Sequence, residues 1–275
     1  MNGGPTYVSP IADRLPTHPA WLLALQVAAL WPVWLWYARR THDGSDEPWG
    51  LLALAAVLLL VYAERRHLRE KPRPALVALA GGLTLLGASV TPWVPALVRA
   101  GLGVTALSLT FAALHNRSRP LLPLWAMLIL SLPVVASVQF YLGYPLRALS
   151  AGCSGALLRF AGLDVEQAGT TLTWQGHAVL VDAPCSGVQM LWVGLFFVAL
   201  LSYLLRASAA RFAFNAAGAV LVIVAGNVLR NTLLFIKEAE IVALPRWTHS
   251  ATGVLTFLLS ALLIARLVNW KSYAR

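Results

Sequence analysis

The feature that most constrains this chain is a succession of long stretches without Asp, Glu, Lys or Arg. They cover residues 20–37, 49–63, 75–98, 100–116, 120–146, 183–205, 212–229 and 247–265. Backbone amides cannot be left unpaired in hydrocarbon, so a run of about 20 apolar residues reads as a lipid-spanning helix. The spacing therefore predicts an all-α fold: a polytopic transmembrane bundle of about eight helices, forming one integral membrane domain over residues 1–275. The run at 49–63 is the shortest, with Pro48 as its start. Pro92 and Pro95 are expected to close the third run, Gly101 and Gly103 to open the fourth, and Pro133 to kink the fifth.

Composition agrees with lipid as the solvent. Apolar residues make up 59% of the chain and charged residues 12%, against about 45–50% and about a quarter in soluble domains. The 11 tryptophans suit membrane interfaces. A net charge of +10 would raise nucleic-acid binding in a soluble protein. Here the cations stand mostly in the short gaps between apolar runs, and no aromatic-basic groove accompanies them. Two cysteines make no disulfide framework. The first 19 residues are polar and turn-rich, with no evident signal peptide.

Lys/Arg bias sets the expected orientation. The strongest cluster, Arg65, Arg66, Arg69, Lys71 and Arg73, belongs on the cytoplasmic side. Arg117, Arg119, Arg206, Arg211, Lys271 and Arg275 follow it there, while Arg39 and Arg40 dissent. Both termini then lie inside. Residues 147–183, between the fifth and sixth runs, become an extracytoplasmic segment. Its first part, 147–160, reads as amphipathic, with Leu146, Leu149, Leu157 and Leu158 free to rest on the bilayer. Its second part, 164–182, is rich in β-branched residues and punctuated by Gly169 and Gly176, which suggests a short hairpin or a pair of turns.

With this topology three clusters fall at the outer face. Ala183-Pro184-Cys185-Ser186-Gly187 starts the sixth run, Gly226-Asn227-Val228-Leu229-Arg230-Asn231 closes the seventh, and Trp247-Thr248-His249-Ser250 starts the eighth. A helix N-terminus favours a thiolate, the nucleophilic form of Cys185. His249 is suited to carry the thiol proton to a leaving amine. An arginine near lipid is costly without water, a partner or a substrate group, and Arg230 is suited to stabilise an oxyanion. Asn227, Asn231 and Ser186 are candidates for orienting or binding roles. Taken singly, each residue is better explained blandly: a packing cysteine, a snorkelling arginine, a solvated histidine. Together on one face they balance those readings and compose a Cys/His/Arg acyl-transfer site. No His/Cys pair stands at metal-ligand spacing, and no cofactor is called for.

These residues resemble the exosortase/archaeosortase family. The likeness rests on Pro184-Cys185-Ser186-Gly187 after an extracytoplasmic segment, on Asn227-x-x-Arg230-Asn231, and on His249 followed by Gly253, each at a helix end and in that order. The resemblance implies a membrane cysteine protease/transpeptidase in the cytoplasmic membrane, with Cys185 as nucleophile, Arg230 as electrostatic partner and His249 as acid/base. It implies exported substrates carrying a C-terminal motif, a transmembrane helix and a basic tail, cleaved through a thioester and passed to an acceptor. The chain departs from the family's Tyr-Ser-His-Gly element: residues 43–50 keep acidic residues and Gly50 but no histidine, which points to a divergent branch. A second Cys-Ser-Gly, at Cys153, reads mainly as a small-residue patch, with a Cys153–Cys185 disulfide or a reactive Cys153 as alternatives. Two other function classes compete. A non-enzymatic membrane scaffold would tolerate Cys185→Ala. A transporter would want midplane ionisable groups and paired repeats, and the sequence offers only Gln26, Asn215 and scattered hydroxyls.

Overall fold

A computed structural model describes residues 20–42, 49–91, 93–115 and 120–269. The stretch without histidine at 43–48, Pro92, Arg117, Arg119, Lys271 and Arg275 lie outside the described residues. Ten α-helices and one small sheet are present among those described. The helices are α1 (Trp21–Ala29), α2 (Trp31–His42), α3 (Trp49–Ala63), α4 (Pro74–Ser89), α5 (Ala96–Leu114), α6 (Leu121–Ser131), α7 (Val135–Phe160), α8 (Val188–Leu204), α9 (Ala209–Glu238) and α10 (Thr248–Asn269). Among the described residues, four helices are long and apolar enough to cross a membrane: α5, α8 with its preceding turn, α9 and α10. Counting each of the bent pairs α1/α2 and α6/α7 as one span raises this to six, and α3 and α4 are shorter apolar helices. The eight apolar runs of the sequence map onto these four helices, two pairs and two short helices.

The chain packs as two compact units, Met1–Trp34 with Leu60–Ser118, and Leu35–Leu59 with Arg119–Arg275. In the first, α4 lies along α5, and α1 packs on α5. Gln26 donates to Thr84 at 2.7 Å, which satisfies an amide inside an apolar contact. Glu64 is buried and bonds His115 at 3.1 Å. Gly101 and Gly103 lie inside α5 rather than opening it, because Pro95 already caps the helix. Gly103 serves contact instead: a Cβ there would come within 2.9 Å of Leu30.

The second unit is built on α6 to α10. Pro133 does more than kink its run. Leu132, before it, is extended (ψ 155°), as the residue preceding proline prefers, and α6 and α7 diverge by 92°. Residues 147–160 form the second half of α7 instead of a separate surface stretch. They contain no proline, Gly152 and Gly155 stay helical, and the helix ends only before Gly162 (φ 88°), where Leu163 N–H reaches back to Leu158 O. Ser150, Ala151, Ser154, Gly155 and Leu158 form a buried small-residue face, and Ser154 donates to Val228 O of α9 at 3.1 Å. Leu158 is thus core, whereas Leu149 and Leu157 stay exposed. Cys153 points away from that face and is exposed, and both cysteines are free thiols.

In α10 the buried positions are Thr252, Thr256, Ser260, Ile264 and Val268, one every four residues, while Leu255, Leu258 and Leu262 lie exposed. Thr256 and Ser260 donate to carbonyls one turn back. Small hydroxylic residues inside and leucines outside are the pattern of a helix solvated by lipid.

Between α7 and α8 stands the segment read as a hairpin or a pair of turns. It is a three-stranded antiparallel meander: β1 (Glu166–Ala168), β2 (Thr171–Trp174) and β3 (His177–Leu180). The β2–β3 turn has positive φ at both Gln175 (47°) and Gly176 (84°), as a two-residue hairpin turn requires. Leu172, Val165 and Val181 pack with Leu158 of α7 and Phe235 of α9 into a small core beneath the sheet.

Candidate active site

The turn that carries Cys185 begins with an acid and a proline. Asp182 accepts from the Cys185 N–H through its carboxylate at 3.3 Å and through its carbonyl at 3.1 Å. The 3-10 turn Ala183–Cys185 results. Gly187 then takes φ 82°, and α8 starts only at Val188. Cys185 therefore stands outside the first turn of α8, contrary to the sequence reading, because Pro184 and the left-handed Gly187 divert the chain before the helix can form. The hydroxyl of Ser186, buried, accepts from Val188 N–H at 3.3 Å and donates to Gln139 Oε1 at 2.9 Å. Gln139 also donates to Ala183 O at 3.4 Å. Ser186 is thus a clamp between turn, helix and α7.

Asn227 and Asn231 are one helical turn apart and face the same way. Both are buried, and both donate to the Cys185 carbonyl, at 3.0 and 3.2 Å. Asn227 gives its other amide hydrogen to Ser150 at 3.0 Å. Read from the sequence as orienting or binding residues, the asparagines hold the backbone of Cys185. They do not close their helix. α9 runs on to Glu238 and stops where Glu240 turns left-handed (φ 55°). Gly187 belongs to the same contact: a Cβ there would lie 2.9 Å from Asn227 Cγ.

That extra length of α9 brings Glu238 to the first turn of α10. His249 Nδ1 lies 3.3 Å from Glu238 Oε1, which also accepts from Lys237 at 2.7 Å. His249 and Glu238 are roughly half exposed, at 47% and 42%. With Nδ1 donating to the carboxylate, Nε2 is the nitrogen free to take a proton.

Cys185, Asn231, Asp182, Glu238 and His249 line one cavity of about 400 Å³, together with strand β3. Arg230 is not among the lining residues. It lies half-buried against α10, where a Cβ on Gly253 would sit 3.6 Å from its Nε, and that Nε is buried without a hydrogen-bond partner. A thiol, an imidazole fixed by a carboxylate and a guanidinium with a spare donor are the groups acyl transfer uses. Among the described residues no group of three or more His, Cys, Asp or Glu is arranged to hold a metal ion.

Sequence reasoning missed Glu238, Gln139, Ser150 and Asp182. Asp182 carries a local signal, an Asx residue capping a turn that opens with proline. The other three become neighbours only when α7, α9 and α10 pack.

No curated protein and no solved structure matches the chain. The family described as transmembrane exosortase matches it over residues 36–266, a range that holds every residue of the site. With most of its length matched, the chain belongs to the transmembrane exosortase family.

Proposed function

We propose that the protein is a membrane cysteine transpeptidase that cleaves the C-terminal sorting signal of exported proteins and passes the new C-terminus to an acceptor. Family membership supports a membrane enzyme of the protease/transpeptidase kind with such substrates. The observation that carries the finer reading is the cavity shared by Cys185 and His249, with Glu238 bonded to the imidazole.

Cys185 Sγ attacks the scissile carbonyl carbon while its proton passes to His249 Nε2. Negative charge gathers on the carbonyl oxygen and is offset by the Arg230 guanidinium. The C–N bond breaks as His249 returns the proton to the departing amine, the end of the substrate's membrane helix. A thioester remains on Cys185. An acceptor nucleophile then attacks it, yields its proton to His249, and releases the product and the thiol. Asn227 and Asn231 keep the Cys185 carbonyl fixed throughout, and Ser186 clamps the turn. The Lys/Arg bias supports a multi-pass protein of the cytoplasmic membrane with this site at the outer face.

The test is labelling of intact cells with a membrane-impermeant maleimide-biotin, on wild type, Cys185→Ala and Cys153→Ala. Labelling lost only in Cys185→Ala puts a reactive thiol outside. Labelling of Cys185 only after the membrane is opened removes the proposal's topology. Processing of exported proteins that survives Cys185→Ala would favour a scaffold.

A further inference from the structure

The sheet that precedes Cys185 ends on an open edge. Among the described residues, the strand order β1-β2-β3 pairs β3 on one side only. In an antiparallel pair, opposed residues alternate between exchanging both main-chain bonds and exchanging none. The phase is fixed at both ends of β3. The two-residue turn makes Trp174 and His177 the closing bonded pair, and Val181 N–H donates to Thr170 O at 2.9 Å. His177, Val179 and Val181 therefore direct their main-chain groups to β2. Ala178 and Leu180 direct theirs the other way, toward the open side.

That open side borders the cavity, which also reaches Leu172, Leu234 and Phe235 beneath the sheet. Along β3 and just beyond it the lining takes consecutive residues, 178 to 182. A strand presenting a face would contribute alternate residues; a contiguous set is what a strand presents along its edge. The same cavity holds Cys185, Asn231, Glu238 and His249. Nothing blunts the edge, since residues 177–180 contain no lysine, proline or bulge. Leu180 is 58% exposed, and only Val181 and Asp182 separate it from the turn that carries the thiol.

We propose that the substrate binds by strand addition: the stretch of polypeptide just before the attacked bond lies along β3 as a fourth strand, held by the outward N–H and C=O groups of Ala178 and Leu180. This rests on the peptide-cleaving function proposed above. The added strand runs parallel to β3. β3 leads through the Cys185 turn into the membrane helix α8, and a substrate whose scissile bond precedes its own membrane helix runs the same way. Main-chain pairing accepts many sequences, and alternate side chains supply the selectivity.

The experiment uses the full-length protein in its own membrane and an exported reporter ending in a motif, a transmembrane helix and a basic tail taken from a protein of the same host. Ala178→Pro and Leu180→Pro each remove one outward N–H and spare the bonds to β2, a substitution edge strands accommodate. Each is expected to lower reporter cleavage about tenfold or more while maleimide labelling of Cys185 stays at wild-type level. Glu166→Ala, on β1 at the far side of the sheet and outside the cavity, is expected to cleave within about twofold of wild type. A second readout does not depend on the prolines: in a Leu180→Cys, Cys185→Ala, Cys153→Ala protein, disulfide trapping to single cysteines scanned along the reporter motif should alternate with period two. Unchanged cleavage in both proline variants, or trapping without that period, overturns strand addition while Cys185-dependent cleavage still upholds the function. Wild type that leaves every such reporter uncut, or cuts it equally as Cys185→Ala, overturns the function and strand addition with it.

Discussion

Where Cys185 meets α9 the contacts are buried amides, Asn227 and Asn231 on its carbonyl, whereas His249 meets α9 through a half-exposed ion pair with Glu238. The turn that carries Cys185 is tied from four sides, by Asp182, Gln139, Asn227 and Asn231. The His249 side has one carboxylate, itself shared with Lys237. Buried hydrogen bonds hold position and leave costly orphans when cut, while exposed ion pairs contribute little to stability. Under the proposed mechanism, the Cys185 thiol is placed by the fold, while His249 keeps room to move beside the shared cavity.

The comparison can be broken or sharpened in order of effect. Cys185→Ala should lower processing of exported proteins by about 10³-fold or more with normal protein level; measured cleavage above that level would move the chemistry elsewhere. Asn227→Ala cuts two buried bonds at once. It should cost about 2 kcal/mol in thermal unfolding of the purified protein and about 10²-fold in cleavage, because a displaced nucleophile loses its alignment. Gly187→Ala forces a side chain into a left-handed backbone costing about 1–2 kcal/mol and pushes on Asn227, so its unfolding should fall just short of the Asn227 variant. Glu238→Gln, on the open wall, should shift unfolding by less than about 0.5 kcal/mol yet slow cleavage about tenfold. If its stability falls as far as that of Asn227→Ala, the two walls are not different in kind. Cys153→Ser should change both readouts least, within about 0.5 kcal/mol, since the thiol lies on the exposed face of α7.

Much of this fold is legible in the residues alone. Apolar runs locate the helices because lipid leaves the backbone no other solution, and Gly169 and Gly176 announce the turns of the meander because only small or flexible residues suit positive φ there. The failures have a common cause. Apolar periodicity cannot tell a helix that ends at the membrane from one that runs on, so the length of α9 beyond Asn231 and of α7 beyond Leu146 is invisible to it. Pro133 is legible as a disturbance, yet the 92° turn it leads to depends on what α7 packs against.

The sequence by itself determined that this is a helical membrane protein of the transmembrane exosortase family, and it singled out Cys185, Arg230 and His249 as candidates by type and order, because composition and motif are written in residue identity. Only the tertiary structure decided what each one touches. It brought Asn227 and Asn231 to the Cys185 carbonyl, Glu238 to His249, and the open edge of β3 to the same cavity. Such contacts join residues as much as 77 positions apart, as Ser150 and Asn227 are, and no local pattern encodes a distance that packing alone closes.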